Sequence, residues 1–165
     1  MDEGQIVVVN LARGVLGSDT SNLLAGLLLQ TIALAALSRQ SVPSEERRPC
    51  HLYLDEFEHF LTPGTAGMLS EVRKVGLSVT LANQYLYQLN DGVKAAVMGN
   101  VGTVIAFRVG PEDARALSRH FEGIEEIDLQ NLPNCHIYTS LMIDGEPSRP
   151  VSGVAIQLRG QNIGR

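Results

Sequence analysis

The chain has 165 residues, enough for one domain with its own hydrophobic core, and a formal net charge of −5. Its only lysines are Lys74 and Lys94, so the composition does not predict a basic surface for nucleic acid or anionic lipid. Two cysteines, Cys50 and Cys135, are too few for a disulfide framework, and we therefore expect a reducing cytoplasm.

The N-terminal part is predicted to form a strand followed by a long apolar helix. Residues 5–11 (QIVVVNL) are apolar and rich in β-branched side chains, which predicts a buried strand. Residues 22–38 are apolar on nearly every helical face, which is typical of a helix buried in a larger body. The most apolar stretch, residues 23–37, is shorter than the roughly 20 residues of a membrane span. A core helix is therefore favoured over a membrane helix.

The middle of the chain alternates predicted strands and helices. Buried strands are predicted over residues 50–54 (CHLYL), 77–82 (LSVTLA) and 103–109 (TVIAFRV). Helices are predicted over residues 65–75, 85–98 and 111–121. This alternation predicts an α/β fold with a mostly parallel sheet. Because ligands of such sheets bind beyond the C-terminal ends of the strands, the residues that follow each strand are functional candidates.

The C-terminal part is predicted to change to antiparallel structure. Residues 135–142 alternate in polarity, Asp144-Gly145 is a hairpin signal, and a strand is predicted over residues 151–158. We expect a single partial domain over residues 1–165. Residues 5–158 would be ordered, and residues 159–165 would be a frayed tail.

Two pairs of polar residues follow predicted strands and form the candidate site. Asp55-Glu56 places two carboxylates after the strand at 50–54, and Asn83-Gln84 places two amides after the strand at 77–82. In phosphoryl transfer an aspartate in this position holds the Mg²⁺ shell, and a neighbouring glutamate orients the attacking water. An amide beside them can contact the γ-phosphate or hold the water. The alternative for each pair is a solvated strand end.

Two arginines are further candidates, each with a structural alternative. Arg73 lies at the end of the helix before the predicted strand at 77–82, where it either complements the helix dipole or reaches the nucleotide of a neighbouring subunit. Arg108 lies within the predicted strand at 103–109, so it must be paired or lie at an edge. It is either a structural ion pair or a second cation near phosphates.

Three segments carry a resemblance to a known family. LYLDEFEHFL, LSEVRKVGLSVTLANQYLYQL and NVGTVIAFRVGPEDARALSRHF resemble the C-terminal part of the HerA/FtsK-type motor ATPases. They are most similar to the type IV secretion, or conjugative, coupling proteins of the TraG/TraD kind. The similarity covers roughly residues 5–158. It implies a RecA-like P-loop NTPase fold with three layers.

The resemblance also implies a function, cofactors and partners. Such proteins are ATP- and Mg²⁺-dependent motors that form hexameric rings and move DNA or secreted protein through a central pore, in contact with the secretion machinery. They work in the cytoplasm, at the inner face of the membrane where other segments anchor them. The implied part for this chain is the C-terminal portion of such a translocation motor.

The resemblance assigns roles to the candidate residues by their place in the motifs. Asp55 would be the Walker B carboxylate on the metal side, and Glu56 the catalytic glutamate. Gln84 would be the sensor amide, with Asn83 beside it near the nucleotide. Arg73 falls where a trans-acting arginine is plausible, and Arg108 is a candidate cation near the phosphates.

The sequence departs from the family at the phosphate-binding loop. No G-x-x-x-x-G-K-[ST] run occurs, and neither lysine follows a glycine-rich turn. We therefore expect a fragment or a truncated relative, with weak or no ATPase activity by itself.

One alternative is a non-catalytic remnant that acts as an interaction module for intact motor subunits. Another is an unrelated hydrolase or metal enzyme, disfavoured because no nucleophile elbow or metal-ligand spacing is present. The four histidines, His51, His59, His120 and His136, are interpreted as structural or surface residues.

Overall fold

The computed structural model describes residue 1 and residues 3–156, and the chain divides into two compact units, Met1–Asn100 and Val101–Arg165. The first unit contains a long helix and a parallel strand pair, and the second contains an antiparallel sheet. The single partial domain expected from the sequence stays a prediction. The expected tail at 159–165 lies outside the described residues.

The first unit contains the predicted β–α–β arrangement. Its helices are α1 (Arg13–Leu16), α2 (Ser18–Leu37), α3 (Pro63–Ala66), α4 (Met68–Val72) and α5 (Asp91–Asn100). Its strands, β1 (Cys50–Leu54) and β2 (Leu77–Leu81), pair in parallel with Leu54 opposite Leu81. The strands predicted at 50–54 and 77–82 and their parallel pairing are thus confirmed.

The helical connection between β1 and β2 begins earlier than predicted and is broken into short pieces. The sequence predicts a helix over residues 65–75, whereas α3 begins at Pro63, with Thr62 accepting a hydrogen bond from the Thr65 backbone as the N-cap. Proline suits the first helical position because the amide hydrogen that it lacks has no partner there. After α4, a short 3-10 turn at Arg73–Val75 ends at Gly76, whose φ of 78° turns the chain into β2.

One face of α2 forms the core of the first unit. The buried positions of this helix are spaced three or four residues apart: Ser21, Ala25, Leu29, Ala33 and Ala36. Ala33 and Ala36 pack in one cluster with Val72, Val75 and Leu77 from α4, the following turn and β2. This contact holds the helical layer against the parallel strand pair.

The other face of α2 is not covered by the described residues. Leu23, Leu27 and Leu34 are 65%, 57% and 58% exposed, so the predicted burial holds for one face only. The helical segment Ser18–Ser41 is long and apolar enough to cross a membrane by length and composition. That property is weak support for a membrane helix, because core helices of soluble proteins share it.

The strand predicted over residues 5–11 is absent, and this prediction is wrong. The segment has no strand structure, and Ile6, Val7 and Val8 are 94%, 76% and 88% exposed. A strand requires a partner for its backbone N–H and C=O groups. The parallel pairing described for the first unit joins β1 to β2 alone, so this apolar segment has no partner strand there.

The second unit is built on an antiparallel sheet. Its elements are β3 (Val104–Ala106), α6 (Pro111–Ser118), α7 (Glu126–Gln130), β4 (His136–Ser140), β5 (Met142–Ile143), β6 (Glu146–Pro147) and β7 (Val151–Val154). β4 lies between β3 and β7 and pairs antiparallel with both. The strand predicted over residues 103–109 is therefore shorter than expected. The prediction that this strand belongs to a parallel sheet is also wrong, because its described partner, β4, runs antiparallel to it.

The predicted C-terminal hairpin is confirmed. β5 and β6 pair antiparallel across Asp144 and Gly145, whose φ angles are 51° and 88°. Two-residue hairpin turns with positive φ at both central positions favour Asp-Gly, because glycine adopts this conformation freely and aspartate tolerates it. Of the strand predicted at 151–158, Val151–Val154 is observed, and residues 157–158 lie outside the described residues.

Candidate functional site

The parallel pairing of β1 and β2 brings the acidic pair and the amide pair to one edge. Past the last paired residues, the Ala82 amide donates to the Leu54 carbonyl at 2.8 Å, and the Phe57 amide donates to the Ala82 carbonyl at 3.3 Å. These hydrogen bonds continue the connection between the two chains beyond both strand ends. Asp55-Glu56 and Asn83-Gln84 therefore lie side by side at the C-terminal edge of the pair.

The backbone at Glu56 is unusual for a residue with a side chain. Its φ and ψ are 51° and 42°, in the left-handed region that few residues other than glycine adopt. The Glu56 amide donates to Asp55 Oδ1 at 3.1 Å, and the Glu56 carbonyl accepts from the His59 amide at 3.2 Å. Phe57, only 1% exposed, anchors the short turn Phe57–His59 that follows. Non-glycine residues in this conformation concentrate at functional sites.

Two side chains face the carboxylate of Glu56. Gln84 Nε2 lies 3.5 Å from Glu56 Oε1, at the upper limit of a hydrogen bond. His59 Nε2 lies 3.9 Å from Glu56 Oε2, which is beyond hydrogen-bond distance and at the outer limit of an ion pair. Asp55, Glu56 and Gln84 are exposed and Asn83 is half-buried, so the four side chains border open solvent. This cluster presents carboxylate and amide groups to solvent at the strand ends.

The residues at this edge fit a Mg²⁺ ion that is shared with a ligand, but they do not form a complete metal cage. Within residues 3–156, no group of three or more His, Cys, Asp or Glu side chains is arranged to hold a metal. Mg²⁺ is usually bound by one or two carboxylates, waters and the phosphates of a substrate. The exposed carboxylate of Asp55 can supply the protein ligand in such an arrangement.

Arg73 lies at the other end of the strand pair. It is exposed, in the turn that leads into the first residue of β2, whereas Gln84 follows the last residue of that strand. A five-residue strand spans about 16 Å at roughly 3.3 Å per residue. Arg73 therefore does not join the cluster within one chain, and only a neighbouring molecule could bring such a residue to it.

Arg108 lies in the second unit and is not inside a strand. It follows β3, is exposed, and its Nη2 atom donates to Asn134 Oδ1 at 3.0 Å. The prediction that Arg108 sits within a buried strand is wrong, because β3 ends at Ala106. The hydrogen bond to Asn134 accounts for its position without any ligand.

His59 is the residue near the site that the sequence analysis missed. The sequence predicts a structural or surface role for it, yet its side chain is 30% exposed and faces Glu56. The available signal was its spacing, three residues after Glu56 in the segment Asp55-Glu56-Phe57-Glu58-His59. That spacing brings two side chains together when the segment forms a single turn.

Comparison with known proteins shows a shared fold. No protein-family model matches the sequence, and no curated protein is significantly similar to it. The chain is similar in structure to the plasmid coupling protein TrwB in complex with the ATP analogue ADPNP, with a TM-score of 0.69 at 16% identity over 90% of this chain. An unbound form of the bacterial conjugative coupling protein TrwB gives a TM-score of 0.72 at 16% identity.

A viral protein has a related structure. The genome-packaging NTPase B204 from Sulfolobus turreted icosahedral virus 2, in complex with AMPPCP, gives a TM-score of 0.57 at 16% identity over 81% of this chain. The chain spans about 40% of the length of the TrwB structures and 63% of the B204 chain. The fold that the resemblance predicts is thus confirmed, because the chain shares it with the TrwB and B204 structures.

Proposed function

We propose that this chain is the Walker B and sensor portion of an ATP-dependent motor that translocates DNA or protein, of the conjugative coupling-protein kind. One observation carries the proposal: two adjacent carboxylates and an amide meet at the C-terminal edge of a parallel strand pair, with Gln84 3.5 Å from Glu56. The fold shared with nucleotide-bound TrwB and B204 structures supports it. Ligands of open α/β sheets bind at this edge.

Each residue of the cluster has a proposed part in ATP hydrolysis. Mg²⁺, when bound with ATP, would neutralise the charge that develops on the phosphates. Asp55 holds the metal shell from the protein side, and Glu56 orients the attacking water. Gln84 contacts the γ-phosphate or that water, and Asn83 supports the nucleotide beside it.

The loop that binds the β- and γ-phosphates in this motor is proposed to lie outside the 165 residues. The sequence contains no G-x-x-x-x-G-K-[ST] loop, whose backbone amides and lysine hold the β- and γ-phosphates. The matched TrwB structures extend well beyond the part that this chain covers. A segment equivalent to that remainder would supply the loop and complete the nucleotide site.

The proposed assembly is a ring, hexameric in the intact motor, that works at the cytoplasmic side of the membrane beside the secretion machinery. The position of Arg73 supports a role between subunits, because it is exposed at the far end of β2 from Gln84. From there it can contact the nucleotide of a neighbouring subunit. Arg108 is proposed as a further cation near the phosphates, because its hydrogen bond to Asn134 uses only one of its five N–H donors.

A second candidate function is an interaction module without catalysis, which docks onto intact motor subunits. The observation in its favour is exposed apolar surface in the first unit, formed by Ile6, Val7 and Val8 and by the leucines of the outer face of α2. Contiguous apolar patches on a soluble protein mark interaction sites. In this case the acidic pair would no longer bind nucleotide.

Binding of Mn²⁺ together with a non-hydrolysable ATP analogue separates the two functions. We expect paramagnetic broadening of the backbone NMR signals of Asp55, Glu56 and Gln84, because Mn²⁺ replaces Mg²⁺ at carboxylates. Binding should be weak, on the order of 1 mM, because the phosphate loop is missing. Asp55→Asn should abolish the broadening, whereas Asp91→Asn, which removes an exposed carboxylate at the start of α5, should not.

Two results would contradict the nucleotide site. One is the absence of selective broadening at the strand ends at the highest analogue concentration used. The other is equal broadening in the wild type and in Asp55→Asn. Either result would leave the interaction module as the favoured function.

A further inference from the structure

The carboxylate of Glu56 is faced on both of its oxygens by different side chains. Gln84 Nε2 lies 3.5 Å from Oε1, and His59 Nε2 lies 3.9 Å from Oε2. The amide comes from the segment after β2, whereas the imidazole comes from the turn directly after Glu56. The two carboxylate oxygens thus have polar neighbours from two parts of the chain, at 3.5 and 3.9 Å.

A backbone hydrogen bond couples the position of His59 to that of Glu56. The Glu56 carbonyl accepts from the His59 amide at 3.2 Å, which closes the turn Phe57–His59. Phe57 is 1% exposed and fixes this turn to the core. Glu56 is therefore the first residue and His59 the last residue of one anchored turn, and their side chains face each other.

Gln84 alone is a weak restraint on Glu56. Its distance to Oε1 is at the limit of a hydrogen bond, and the Glu56 side chain is 52% exposed. A solvent-exposed glutamate has three rotatable bonds and loses conformational entropy when it is held in one direction. A second contact on the other oxygen restricts the directions that the carboxylate can take.

We propose that His59 is a positioning residue that holds the Glu56 carboxylate towards Gln84. This inference rests on the proposed function, in which Glu56 orients the attacking water. His59 acts through Glu56 and does not itself contact nucleotide or water. The nearby acidic side chains on the same segment, Asp55 and Glu58, do not replace it, because neither can donate a hydrogen bond to a carboxylate when ionised.

The side-chain amide signals of Gln84 report this arrangement by NMR. Removal of the whole acceptor group by Glu56→Ala gives the position of those signals without the contact. We expect His59→Ala to move the Gln84 side-chain signals most of the way to that position, because the carboxylate is then free to rotate. His59→Gln, which keeps a hydrogen-bond donor, should restore most of the wild-type shift. His51→Ala, at an exposed histidine of β1, is the matched control and should leave the signals unchanged.

A purely structural role for His59 gives a different pattern. In that case His59→Ala would move the backbone signals of residues 57–60 as well, and His59→Gln would not restore them. That pattern, or Gln84 signals unmoved by His59→Ala, would overturn the proposal. The Mn²⁺ broadening at Asp55 does not depend on His59, so its persistence in His59→Ala keeps a failure of this inference distinct from a failure of the proposed function.

Discussion

Phe57→Ala is expected to lower the free energy of unfolding by about 3–5 kcal/mol, the usual cost of truncating a fully buried phenylalanine. Phe57 is 1% exposed and belongs to the turn that directly follows the acidic pair. The loss would be a large part of the total stability of a typical domain, about 5–15 kcal/mol. Urea denaturation followed by circular dichroism measures it, since the chain has no tryptophan for fluorescence.

The matched control for Phe57→Ala is Tyr53→Ala. Tyr53 is an aromatic residue of β1 that is 72% exposed, so its truncation should change the free energy of unfolding by only about 0.5 kcal/mol. A loss below about 1 kcal/mol for Phe57→Ala would contradict the interpretation that this side chain anchors the turn. It would also remove the physical basis for the fixed geometry of Glu56.

Glu56→Gln is expected to abolish most of the ATPase activity of any form of this protein that also carries a phosphate loop. We expect kcat to fall by about 10²–10⁴-fold, the usual range for removal of a group that assists proton transfer. KM for ATP should change little, because the proposed role of the carboxylate is exerted on water in the transition state. Phosphate release at saturating Mg·ATP measures the effect.

The 165-residue chain by itself is the comparison for that experiment. It should release phosphate no faster than its own Glu56→Gln variant, because the sequence has no loop to hold the β- and γ-phosphates. Glu71→Gln is the matched control, since Glu71 is an exposed glutamate that pairs with Lys74 on the surface, at 3.1 Å. Measurable turnover by the chain alone that Glu56→Gln abolishes would contradict the proposal that the loop comes from elsewhere.

Most of the candidate site could be predicted from the sequence. Asp55-Glu56 and Asn83-Gln84 each follow a short apolar run, and parallel pairing of those runs is sufficient to bring them to one edge. His59 could not be predicted to face Glu56, because that contact depends on a 3-10 turn and on the left-handed backbone at Glu56. Neither feature has a strong signal in the types of residue involved.

Arg73 and Arg108 show where sequence position alone was insufficient. Arg73 precedes β2 and so lies at the opposite end of the strand from Gln84. Arg108 lies beyond the end of β3 and donates to Asn134, which is 26 residues further along the chain. The roles proposed for both arginines depend on neighbours that the spacing of residues does not identify.

The sequence by itself determined the local elements: β1, β2, the long helix α2 and the Asp144-Gly145 hairpin, because apolar periodicity and turn chemistry act within a few residues. Only the tertiary structure decided which elements have partners. Residues 5–11 and 103–109 have similar apolar, β-branched patterns, yet the first is exposed without strand structure and the second contributes β3 to an antiparallel sheet. The physical reason is that a strand is stabilised by hydrogen bonds and burial against a distant segment, and those partners are not encoded in the strand itself.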